Sequence, residues 1–175
     1  MTRLRCLVFD ANVVIALFER DLWQAVASRC GLVLTETVVD EADFYIDATG
    51  IRHTIDLQPD VAAGRIRVES IGATRIAAFQ ARFDPLYMQK LDPGETESLV
   101  FCLDEGEECH LCSSDAVVFR VLAQLDRTEQ GVSLEEVLAA VGLSRPLDRP
   151  YTKQFRKEFA SKGLQDRLAG MGLKK

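Results

Sequence analysis

Leu7-Val8-Phe9-Asp10-Ala11-Asn12-Val13-Val14-Ile15 decides how this chain is read. Three apolar residues predict a buried strand. A carboxylate stands where that strand ends, and an apolar pattern of helical period begins at once. In an open parallel sheet, ligands bind outside the carboxyl ends of the strands. Asp10 therefore sits where such a fold places its chemistry.

Working outward, strand and helix alternate. A first strand over residues 5–9 leads to a helix over 11–18, and Asp21 caps a second helical piece over 22–28 that Gly31 ends. Leu32-Val33-Leu34 is a second buried strand stopped by Thr35. The apolar positions from 36 to 46 predict one helix, and 50–59 reads as irregular. Arg65-Ile66-Arg67-Val68-Glu69 alternates polar and apolar, the period of a half-buried strand at a sheet edge. A helix over 73–83 follows, then an Asp92-Pro93-Gly94 turn and a helix from Glu95 to Gly106. His110-Leu111-Cys112 is a short strand ending in Ser113-Ser114-Asp115, ahead of a strongly apolar helix over 116–125. A weak strand is indicated near 131–134. Ser133 and Glu136 form a capping box opening a helix to Val141. Pro146 and Pro150 mark a connector to an amphipathic helix, or helix pair, over 151–168. This alternation predicts an α/β fold with a mostly parallel sheet and helices on both faces.

The 175 residues suffice for one sizeable core, and 47% hydrophobic with 27% charged residues is ordinary for a globular chain. No apolar run approaches the length of a membrane span, and no signal-peptide pattern precedes the first strand, so a cytoplasmic protein is expected. The five cysteines are an odd number and read as reduced thiols. Cys109-His110-Leu111-Cys112 has the C-x2-C spacing of half a zinc site, but a strand would turn its two thiols to opposite faces. The net charge of −6 conceals an asymmetry. Residues 145–175 carry nine Lys/Arg against three acids, leaving residues 1–144 at −12. This division predicts an acidic body over 1–144 and a basic helical extension over 145–175, with Lys153, Arg156 and Lys157 as phosphate contacts or simply a solvated helix face.

Acids recur at strand ends and helix starts: Asp10, Glu41, Glu95 with Glu97, and Asp115. Helix N-termini on one rim of a parallel sheet converge, so these groups can share a pocket. Carboxylates crowded together stay ionised only beside an opposite charge. The sequence places no Lys or Arg at these strand ends. A hard divalent cation such as Mg2+ meets the need.

Val8-Phe9-Asp10-Ala11-Asn12-Val13-Val14-Ile15 resembles the opening motif of PIN-domain nucleases. Leu34-Thr35-Glu36-Thr37-Val38-Val39-Asp40-Glu41 is similar to the family's second motif, a small hydroxyl residue followed by Glu six positions on. Leu91-Asp92-Pro93-Gly94-Glu95-Thr96-Glu97-Ser98 resembles the Gly-Glu-x-Glu helix start of one branch of the family. Ser113-Ser114-Asp115 resembles its fourth acidic position, and Arg120 stands where that branch often has Arg. The likeness covers residues 4 to about 143 and leaves the basic tail outside. It implies a three-layer α/β/α sandwich and a Mg2+- or Mn2+-dependent endoribonuclease acting on single-stranded RNA. It also implies a toxin of a toxin–antitoxin pair, a small antitoxin as partner, and a homodimer. It carries Asp10, Glu41, Glu95 and Asp115 over as metal-binding acids, with Asn12 and Ser113 orienting metal-bound water or the Asp10 carboxylate. Glu97 is the alternative third acid: it lies two residues from Glu95, so a helix should present only one of them. Arg120 is a further candidate for phosphate contact, with a surface ion pair as the plainer reading.

Asp10 and Asp115 also suit helix N-caps, and Glu95 suits a first helical turn, without any catalytic role. A phosphatase of the haloacid dehalogenase type shares the strand-then-Asp start but needs a second Asp two residues on, where this chain has Asn12. A receiver-like phosphoacceptor wants a strand-end Lys that the sequence lacks. A PIN-like module that binds RNA or protein without cutting remains the non-enzymatic alternative.

Overall fold

The computed structural model describes residues 6–174. The first strand, β1, runs Cys6–Phe9, and the predicted start at Arg5 lies outside the described residues. In chain order follow helices α1 (Ala11–Glu19) and α2 (Trp23–Ala27), strand β2 (Leu32–Thr35), helix α3 (Glu36–Glu41), strands β3 (Phe44–Ile46) and β4 (Arg52–Thr54), and helix α4 (Gln58–Ala62). Then come β5 (Ile66–Glu69), α5 (Ala73–Gln80), α6 (Pro85–Met88), α7 (Pro93–Asp104), β6 (Cys109–Cys112), α8 (Ala116–Gln124), β7 (Gly131–Val132), α9 (Leu134–Ala140) and α10 (Lys153–Leu168).

Five strands form one parallel sheet in the order β5-β2-β1-β6-β7. The chain builds outward from β1 through β2 to β5. It then returns to the other side of β1 with β6 and continues to β7. The order therefore reverses between β1 and β6, which opens the crevice where open α/β sheets bind ligands. Phe9 pairs with Cys112 in the ladder, so Asp10 and Ser113 leave adjacent strands side by side.

Strand alternation divides the core into two layers. Leu7, Phe9, Leu32, Leu34 and Cys112 face one side, against Val13, Leu17, Trp23, Val38 and Leu138. Val8, Val33, Cys109 and Leu111 face the other, against Phe79, Phe83, Leu99, Val118 and Leu122. The result is a three-layer α/β/α sandwich. Cys109 and Cys112 lie in different layers, and the alternation argument against a zinc half-site holds.

Three local expectations need correction. The helix predicted over 36–46 stops at Glu41, and Phe44 to Thr54 forms an antiparallel hairpin. Ala42 leaves helical geometry at ψ 58°, and Tyr45 then packs against Phe18, with ring centroids 5.8 Å apart. The hairpin turn is held by Asp47, whose Oδ1 accepts from the Thr49 and Ile51 amides, and by Gly50 at φ +85°. Residues 50–59, read as irregular, accordingly hold β4 and the start of α4. Asp92-Pro93-Gly94 is no separate turn but the entry of α7, with Asp92 as N-cap and Pro93 as first helical residue.

The C-terminal residues fold onto the sandwich as a single helix. Gly163 of α10 meets α8 so closely that a Cβ there would lie 2.6 Å from Arg120 Cα.

Candidate carboxylate site at the sheet's switch point

Asp10 caps α1: its Oδ1 accepts from the Val13 amide at 2.8 Å. Its Oδ2 faces β6, accepting from Ser113 Oγ at 2.5 Å and the Ser114 amide at 3.1 Å. Ser113 Oγ also accepts from the Asp115 amide at 2.9 Å. A carboxylate 3% exposed is thus clamped between two strand ends. Burial pushes its pKa up to about 6 in spite of these three donors. Asp115 caps α8 through the Val117 amide.

The third arm is α7. Asp92 Oδ1 accepts from the Glu95 amide, and Glu95 Oε2 accepts from the Asp92 amide, a reciprocal capping box. Glu95 is 5% exposed, and burial together with the charges of Asp115, Asp92 and Asp10 pushes its pKa up to about 8. Glu97 points elsewhere: its Oε1 accepts from Thr37 Oγ1 of α3 at 2.8 Å, and its Oε2 is buried without a hydrogen-bond partner.

Glu41, at the exposed end of α3, reaches the same helix start. The Gly94 amide donates to it, and a Cβ at position 94 would come within 2.6 Å of Glu41 Oε2. Gly94 is therefore the residue that lets α3 approach α7. Desolvation and the charges of Asp92, Glu97 and Asp10 raise the pKa of Glu41.

Six carboxylates thus come within electrostatic reach of one another. Glu95 groups with Asp10 and Asp115, Glu97 groups with Glu41, and Asp92 acts on Asp10, Glu41 and Glu95. The two glutamates of α7 take different sides: Glu95 lies with Asp10 and Asp115, and Glu97 turns to Thr37 and Glu41 of α3. No Lys or Arg is among the charges acting most strongly on Asp10, Glu41 or Glu95. Among the described residues, no three His, Cys, Asp or Glu side chains stand close enough to hold an ion as they are. Asp10, Glu41, Asp92, Glu95 and Asp115 are each turned instead toward a backbone amide of their own or a neighbouring helix, and Glu97 toward the Thr37 hydroxyl.

Asn12 is exposed beside Asp10, and its carbonyl faces the Tyr151 hydroxyl at 3.5 Å. Two of the basic candidates are engaged elsewhere. Arg120 binds Asp166, with Nε–Oδ2 at 2.8 Å, in the seam between α8 and α10. Arg156, 9% exposed, makes a forked pair with Glu136 at 2.8 and 2.9 Å. Lys153 leans toward Glu136 at 3.6 Å, and Lys157 is exposed.

Sequence reasoning overlooked two residues at this rim. Asp92 was readable, because Asp92-x-x-Glu95 is the same capping signature as Ser133-x-x-Glu136. Tyr151 had no local signal, since only the path of the connector brings it to Asn12. No protein-family model matches the chain, and no curated protein matches it. Among the described residues no helix is long and apolar enough to cross a membrane.

Proposed function

We propose that this protein is a divalent-metal-dependent endoribonuclease of the PIN type, cutting single-stranded RNA. One observation carries the reading. Carboxylates from four separate helix starts or ends gather at the sheet's switch point, with no Lys or Arg prominent among the charges that act on them. An acid whose pKa is raised to about 8 by burial, and further by neighbouring carboxylates, is poorly placed for stability alone.

The donor set suits a hard divalent cation, being all carboxylate oxygen, with Glu97 Oε2 buried and unpartnered. Asp10, Glu95 and Asp115 would hold Mg2+ or Mn2+, with Glu41 on the α3 side. Such an ion supplies charge neutralisation at the phosphodiester and acidifies bound water. The protein's own part is positional. Ser113 and the Ser114 amide fix the Asp10 carboxylate in one orientation. The Asp92 cap fixes Glu95 likewise. Phosphate binding is then left to exposed cations such as Lys157, Arg120 and Arg156 being held in ion pairs.

The proposal extends to a cytoplasmic toxin held by a small antitoxin, working as a homodimer. The test is cleavage of a mixed single-stranded RNA panel with Mg2+ or Mn2+, comparing wild type with Asp10→Asn and with EDTA. Cutting that EDTA abolishes and Asp10→Asn retains removes Asp10 from its role. A second reading, an RNA- or protein-binding module without catalysis, is favoured by the helix-capping orientation of the acids. It prevails if the wild type neither binds Mn2+ nor cuts any RNA.

A further inference from the structure

The connector after α9 does more than link helices. Residues 145–152 run alongside α1 from its end to its start: Arg145 Nη1 donates to the Arg20 carbonyl at 3.3 Å and Asp148 Oδ2 binds Arg20 Nη2 at 2.7 Å at the end, and Tyr151 comes to Asn12 at the start. Leu147 and Tyr151 pack on the core layer beneath α1. The Arg20 guanidinium lies 5.3 Å from the Tyr151 ring centre. A half-buried aromatic ring is thereby held at three points.

Its hydroxyl arrives at the acid rim. It reaches the Asn12 carbonyl at 3.5 Å, and the Ser114 side chain and Asp10 carboxylate are its electrostatic neighbours. A bond of that length is weak. Half-buried tyrosines ordinarily satisfy the hydroxyl well, since the ring brings it into a site where water is scarce. This phenol is fixed in position, has the Ser114 side chain as a hydrogen-bond partner, and donates only weakly to Asn12, two residues past Asp10.

We propose that Tyr151 is a substrate-contacting residue, its hydroxyl donating a hydrogen bond to a phosphate oxygen of the RNA strand bound over Asp10. The inference rests on the nuclease reading above. It gives the C-terminal segment, which lies outside the PIN-like likeness, a direct part in the site.

The test is Tyr151→Phe in the full chain, which keeps the ring and its packing. Cleavage of a labelled single-stranded RNA is followed across RNA and Mn2+ concentrations, with thermal unfolding alongside. Loss of one hydrogen bond to a charged group lowers kcat/KM by about tenfold or more, with the unfolding midpoint and the Mn2+ half-saturation unchanged. A variant within twofold of a cutting wild type overturns the proposal and leaves the nuclease reading standing. A shift in Mn2+ half-saturation without change in KM or kcat at saturating metal also overturns it, assigning Tyr151 to support of Asp10. A wild type that cuts no RNA overturns both.

Discussion

Two regions of this molecule bury charge in opposite ways. Along the seam of α10 with α8 and α9, the buried acid has its cation. Asp166, 5% exposed, takes Arg120 and the Tyr87 hydroxyl, and Glu136 takes Arg156 together with the Ser133 amide and hydroxyl. The pKa of Glu136 is accordingly lowered: burial works against this, and Arg156 and Ser133 outweigh it. At the switch point Asp10 and Glu95 are equally buried, receive only neutral donors, and have raised pKa values. Ion pairing in the seam locks helices together. At the acid rim ionisation works against the fold, a pattern that clusters at functional sites.

The sharpest way to break this contrast is Asp10→Asn. If the rim serves catalysis, cleavage falls by roughly a thousandfold, several kcal/mol of lost charge stabilisation. The unfolding midpoint measured in EDTA then stays level or rises, because a repelled carboxylate has gone. A drop in midpoint with cleavage intact would make Asp10 a structural cap and nothing more. The mirror experiment is Arg120→Met. It strands Asp166 beneath α10 and should lower stability by about 2–3 kcal/mol, discounted from a fully buried pair because Arg120 is about a quarter exposed. Denaturant titration measures it, and cleavage per folded molecule should not move.

Gly94→Ala comes next. The added methyl presses on the Glu41 carboxylate rather than on backbone, so the fold should lose about 1 kcal/mol or less while cleavage falls on the order of tenfold. Parallel assays of unfolding and rate decide it.

The pH dependence separates the regions further. Asp10 and Glu95 bind a proton more tightly folded than unfolded, so their contribution to stability is fully present below their unfolded values near 4. It is lost as pH rises through about 6 and then about 8. Thermal scans in EDTA should therefore show the midpoint falling from pH 5 to pH 8.5, and Mn2+ should restore it at the upper end. A metal-free midpoint that rises over that range contradicts the assignment. The smallest effect is expected of Lys157→Gln: a few-fold weaker RNA binding and a salt dependence shallower by about one charge, with stability unchanged.

What the sequence disclosed follows the range of the forces involved. Asp10 and Asp115 were legible because strand, acid and helix start are consecutive, and each cap is made within three residues. The parallel sheet was legible from the alternation of apolar runs. The β3–β4 hairpin was hidden because Val38, Val39 and Ala42 sustain a helical period up to Phe44. Only packing of Tyr45 on Phe18 tells the two outcomes apart. The sorting of Glu95 and Glu97 to different sides needed the position of α3, whose Thr37 claims Glu97. Arg120 looked like a surface group until α10 closed over it with Asp166.

The hydrogen bond from Ser113 to Asp10 spans 103 residues, and that from Tyr151 to Asn12 spans 139. Strand β1 is made well before its neighbour β6, and the connector that carries Tyr151 is made later still. A domain held by such distant pairings folds late and as a unit. The nascent chain thus carries Asp10 past the translation machinery long before the groups that orient it exist. The acid rim built this way stays unformed until residue 151 has been made, so the order of the strands sets when the rim can exist at all.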